Sequence, residues 1–99
     1  MSGAEPVLGL PKRAALSRPI DEIYLDVSVP LELDALRIEQ GRFADAVVWN
    51  PGADGAAQIG DIGPGEWSRF LCVEAAQVER PALLEPGRSW AGTQVLRLR

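Results

Sequence analysis

The 99-residue chain contains no histidine and a single cysteine, Cys72. Without histidine it lacks the side chain that most often moves protons near neutral pH. Cys-His and Ser-His hydrolytic arrangements are therefore excluded for these residues alone. One cysteine cannot form an intrachain disulfide, which fits a reducing cytosol, and a cytoplasmic location is expected. No run approaches the roughly 20 apolar residues of a membrane helix. Pro6, Pro11, Lys12 and Arg13 break up the amino terminus, so no signal-peptide core is expected. Basic residues are outnumbered, 10 against 14 acidic, for a net charge of −4. That balance argues against nucleic acid or an anionic membrane as partner. No Gly-x-Gly-x-x-Gly phosphate loop is present, and Pro11-Lys12-Arg13 is only a minor basic patch.

Hydrophobic residues make up 46% of the chain, a normal share for a folded domain, and its length suits one modest core. Residues 1–19 carry proline and glycine without a period and are expected to be irregular, apart from a helical turn at Lys12–Leu16. From residue 20 onward the pattern is β. Ile23, Leu25, Val27 and Val29 alternate with Glu22, Tyr24, Asp26 and Ser28. Leu31–Leu33 and Leu36–Gln40 alternate again, and Gly41 closes the second of these. Ala46–Trp49 is a short apolar run of the kind buried on both faces. Residues 52–65 read as a long loop, Pro64–Arg69 as one helical turn, and Phe70–Val78 as a central strand. Leu84–Gly87 is a turn, and Trp90, Gly92, Gln94, Leu96 and Leu98 fall on one face of a closing strand. Five to seven strands and almost no helix predict an all-β fold, an antiparallel sandwich or part of one, over residues 20–99.

Glu74 is the residue most open to a chemical role. It lies in an apolar run and shares a strand face with Phe70, Cys72, Ala76 and Val78. Burying an unpaired carboxylate costs several kcal/mol, and burial lifts a carboxyl toward the range of a general base. The plainer alternative is a glutamate on the solvent side of a half-buried strand. Trp49 and Asn50 close a strand at a turn. They could form a sugar-binding edge, with the amide for hydroxyls and the ring for the apolar sugar face. A core tryptophan followed by a turn-forming asparagine is the commoner role of such a pair. Cys72, Trp67 and Trp90 read as packing residues. Asp45, Asp54 and Asp61 with Glu66 match no calcium-loop spacing and read as solvated loop acids, so no metal is expected.

Val47-Val48-Trp49-Asn50-Pro51, followed by Trp67-Ser68-Arg69-Phe70-Leu71-Cys72-Val73-Glu74-Ala75-Ala76-Gln77-Val78, resembles the hexose-6-phosphate mutarotases, also called glucose-6-phosphate 1-epimerases. Ile20–Asp26 is similar to the strand before that region, and Leu84–Gln94 to the closing turn and strand. The resemblance spans residues 20–98 and corresponds to the carboxyl-terminal third of the family. It implies part of a galactose-mutarotase-like supersandwich that interconverts the α and β anomers of a hexose 6-phosphate without a cofactor. It also implies that Glu74, in the Cys-Val-Glu motif, is the base. The family's acid histidine and phosphate-binding arginines belong to its upstream part, and no histidine here replaces the first. Gly55 stands where many members carry a basic residue. Two function classes follow: an enzyme portion with little activity by itself, or a non-catalytic carbohydrate-binding or assembly module. In the second, open sheet edges would pair with another copy or with a complementing amino-terminal half.

Overall fold

The computed structural model of the chain describes residues 7–10 and 18–98; the helical turn expected at Lys12–Leu16 lies outside the described residues. Among the described residues seven strands form two sheets. They are β1 (Leu8–Gly9), β2 (Ile20–Tyr24), β3 (Leu31–Leu33), β4 (Leu36–Gly41), β5 (Asp45–Asn50), β6 (Cys72–Ala76) and β7 (Thr93–Leu98). One sheet has the order β1-β3-β4-β7 and the other β2-β5-β6. Every pair is antiparallel except β1–β3, which is parallel and two residues long. The fold is all-β and sandwich-like, as the alternation predicts.

Period-two alternation sorts each strand of the four-stranded sheet into a wet and a dry face. Glu32, Arg37, Glu39 and Arg97 share the wet face, where Arg37 lies 3.6 Å from Glu32 and Arg97 pairs with Glu39. Leu31 and Ile38, directly opposite each other, share the dry face and are buried. Against them lie Ile20, Ala46 and Val48 of the three-stranded sheet, with Leu10 completing the buried cluster. Trp67, Leu71 and Val73 pack on its rim. Truncating a leucine or isoleucine at such a site to alanine costs about 2–5 kcal/mol.

Three details differ from the sequence reading. β2 ends at Tyr24, and its dry side is the other one: Ile20 is buried and Tyr24 packs on the core, whereas Ile23 and Leu25 are exposed. The segment after Pro51 is not wholly a loop, because Gly52–Ala56 form a short helix, α1. Gly52 is required at its start. Its φ is +70°, and a Cβ there would stand 2.9 Å from the Pro19 ring. Trp90 precedes the closing strand instead of starting it and packs edge-on against Phe43 at 5.1 Å. Elsewhere the predicted turn elements stand. Glu66–Arg69 form a 3-10 turn, and Arg88 N–H donates to the Glu85 carbonyl across the Pro86-Gly87 turn.

Candidate functional site

Glu74 sits at the centre of β6, directly across from Val47 of β5, which in turn lies across from Ile23 of β2. The next row along the same face is Cys72, Trp49 and Asp21. Because side chains alternate, Glu74 and Trp49 are diagonal neighbours on one face, and Asn50 belongs to the other. Glu74 is exposed. The burial expected of a carboxylate in an apolar strand is therefore not what holds it. This face is the outer one of the three-stranded sheet, and Ile23 beside it is exposed as well. Nor does Glu74 line either of two clefts. The larger, about 470 Å³, is framed by Ala53, Ala56, Ile59, Pro64 and Trp67. The smaller, about 250 Å³, lies between Val27–Pro30 and Glu39–Gln40.

Trp49 is half-buried, its ring tilted against Phe70 with centroids 6.5 Å apart, so one side of the indole is already in use. Asn50 is fully buried. Its amide donates to the carbonyls of Trp67 (2.8 Å) and Phe70 (2.7 Å), and its Oδ1 accepts the N–H of Gly52 (3.0 Å). Both amide hydrogens are thus committed to backbone. Asn50 fastens the end of β5 to the 3-10 turn and to the start of α1, which sets where Trp67 and Phe70 stand.

Asp45, expected to be a solvated loop acid, is instead buried as the first residue of β5. Its Oδ2 accepts the N–H groups of Val78 (2.8 Å) and Glu79 (3.1 Å), and its Oδ1 that of Asp26 (3.0 Å). The bonds from Val78 and Glu79 hold its carboxyl below the usual carboxylate range. The Asp26 N–H and the nearby Arg80 charge act in the same direction, against the opposing effect of burial. One carboxylate therefore fastens the chain after β2 and the chain after β6 to the head of β5. The signal in the sequence was slight: Asp45 is in phase with Val47 and Trp49. Asp54 and Asp61 are exposed, as expected. Glu66 Oε2 accepts the Gly63 N–H at 3.0 Å. Among the described residues no group of three or more metal-ligating side chains comes together.

By register this face carries Asp21, Ile23, Asp45, Val47, Trp49, Cys72, Glu74 and Ala76. None is basic. Chemically it offers an accessible carboxylate that can accept a proton and an aromatic surface one row away.

The chain is 50% identical, over an 81-residue alignment, to a protein of Cenchrus ciliaris named "Putative glucose-6-phosphate 1-epimerase". The resemblance to the glucose-6-phosphate 1-epimerase family holds. The match takes in 74% of this chain and 24% of the relative, so the chain spans about a quarter of that protein's length. No family model matches the chain, and no solved structure does. Among the described residues no helix is long and apolar enough to cross a membrane.

Proposed function

We propose that this chain is the base-bearing portion of a hexose-6-phosphate mutarotase, which exchanges the α and β anomers of a sugar such as glucose 6-phosphate. The observation that carries the reading is the 50% identity to the epimerase-named relative. The shared face of Glu74 and Trp49 supports it. In this reading the Glu74 carboxylate takes the proton of the anomeric hydroxyl. A proton donor outside the chain protonates the ring oxygen, the C1–O5 bond opens, the C1 group turns, and the ring recloses as the protons return. Trp49 offers its remaining ring surface to the apolar side of the sugar. Asn50 contributes by holding the strand end. No cofactor takes part. The phosphate is bound elsewhere in the assembly, since none of the strand residues on the Glu74 face is basic. Catalysis also needs a second layer over this face to exclude water and orient the sugar.

The decisive experiment places the chain's residues in the full epimerase context. The matched region of the Cenchrus ciliaris relative is replaced by this chain's aligned residues, and anomer exchange of glucose 6-phosphate is followed by NMR. The chimera should be active, and Glu74→Gln should lower kcat by about 10²–10⁴-fold with little change in KM. An E74Q chimera as active as its parent would remove Glu74 from the mechanism.

The alternative is a non-catalytic carbohydrate-binding or assembly module. Its supporting observation is the apolar surface left open, including Ile23, Leu25, Leu96 and Leu98.

A further inference from the structure

We propose that the cleft between α1 and the 3-10 turn is a docking site for a basic segment of another protein, which inserts one aliphatic side chain into it. This role is separate from the epimerase reading.

The cleft is preformed. Ala53 and Ala56 of α1 line one wall, and Pro64 and Trp67 the other. The buried Asn50 side chain ties both walls to the end of β5, through the Gly52 N–H (3.0 Å) and the Trp67 carbonyl (2.8 Å). The chain between the walls is held by its own turns. Ile59 N–H donates to the Ala56 carbonyl (3.0 Å), Ile62 N–H to that of Ile59 (3.2 Å) and Glu66 N–H to that of Gly63 (3.1 Å). A site already ordered loses little conformational entropy when it is filled. Its volume of about 470 Å³ falls in the range of about 300–1,000 Å³ common among ligand clefts.

Small residues keep the cleft open, and Gly60 shows it best. Its φ lies outside the left-handed region, and no heavy atom beyond its chain neighbours stands within 4 Å of where a Cβ would be. Neither backbone conformation nor close packing therefore requires glycine there. Gly63 differs, because a Cβ on it would stand 2.8 Å from Glu66 Oε1. What the missing side chain of Gly60 does is leave the hollow unfilled, with Ile59 exposed beside it.

Charge selects the occupant. Asp54 on α1, Asp61 on the connecting loop and Glu66 on the 3-10 turn are all exposed, each next in sequence to a residue that lines the cleft. Residues 51–68 contain no lysine or arginine, and Arg69 is the first base after them. Glu66 Oε2 accepts the Gly63 N–H, which leaves its carboxylate with further acceptor capacity. An apolar hollow with carboxylates on three separate elements complements an aliphatic side chain flanked by cations. A single small amine answers only one of the three acids. An acidic segment would meet like charge. The net charge of −4 adds a longer-range attraction for a basic partner.

The test titrates the 99-residue chain, by NMR at low salt, with a blocked peptide carrying one leucine between paired lysines. Saturable shifts confined to residues 53–67 are expected, with an affinity that falls as salt is raised. Exchanging the lysines for glutamates, or the leucine for serine, should weaken binding about tenfold or more. Asp54→Asn/Asp61→Asn should weaken it similarly and flatten the salt dependence. Gly60→Leu should abolish binding by filling the cleft, with the rest of the spectrum unchanged because the new side chain meets no neighbour. Ala57→Leu, at an exposed lining position, is a second plug in case the first disturbs the loop. No shifts, shifts elsewhere in the chain, equal binding of the glutamate peptide or binding that survives both plugs overturns the proposal. So does butylamine binding as tightly as the peptide. A homodimer of the free chain that the plugs dissolve also overturns it, since a second copy would then be the occupant.

Discussion

At the scale of single residues, the side chains that organise this sheet are the two polar ones buried among the described residues, Asp45 and Asn50. Neither stands out in a hydrophobicity pattern, because each is placed by hydrogen bonds to backbone far along the chain. Asp45 offers a pH test. Its three backbone donors favour the charged form, so its folded-state pKa lies below the unfolded value of about 3.9. A depressed carboxylate contributes stability that is complete above the unfolded pKa and is lost as pH falls through the folded one. Urea midpoints of the wild-type chain should therefore drop from about pH 5 downward. Asp45→Asn should be less stable at pH 7, since its amide would face the Val78 and Glu79 N–H groups, and its acid limb should be flatter. The difference between the two profiles isolates Asp45 from the other carboxylates. Parallel profiles would show that Asp45 does not carry the linkage.

At the scale of elements, the sequence was a good guide wherever alternation decided the structure. β3, β4, β5 and β6, the 3-10 turn and the last turn fall where the pattern puts them. It was a poor guide to which face of a strand is covered. Ile23 and Leu25 form the apolar side of the alternation, yet they are exposed, because alternation separates two faces without saying which has a partner sheet. The same limit explains Glu74. Its face was identified correctly, and its burial was not. The helix Gly52–Ala56 went unseen because two glycines in five residues argue against helix; the Asn50 Oδ1 bond to the Gly52 N–H supports its start. That junction is itself testable. Asn50→Ala removes two donors from the carbonyls of Trp67 and Phe70 and one acceptor from Gly52 at a fully buried position. The expected cost is about 2–4 kcal/mol in denaturant unfolding, with faster amide exchange at residues 66–70. A loss under about 0.5 kcal/mol would mean that the loop is held by other contacts.

At the scale of the whole molecule, the chain is a slab, 48 × 44 × 21 Å, with a radius of gyration of 15.8 Å. A compact domain of about 100 residues has a radius near 13 Å. The excess is the geometric counterpart of open surface: two sheets share a small core, and Glu74, Ile23 and the β7 leucines Leu96 and Leu98 are exposed. A mutarotase needs a base, an acid and a water-excluding pocket together. This chain has no histidine, and Glu74 lines neither of the two clefts described above. Losing a positioned acid alone removes about 10²–10⁴ in rate, and losing the enclosing shell removes more. Freshly dissolved α-glucose 6-phosphate mixed with the 99-residue chain should therefore lose its anomeric imbalance no faster than in buffer. Exchange clearly above buffer, abolished by Glu74→Gln, would mean that this open face suffices and that the separate acid and covering layer are unnecessary. Exchange above buffer that survives Glu74→Gln would instead move the base to another residue of the chain.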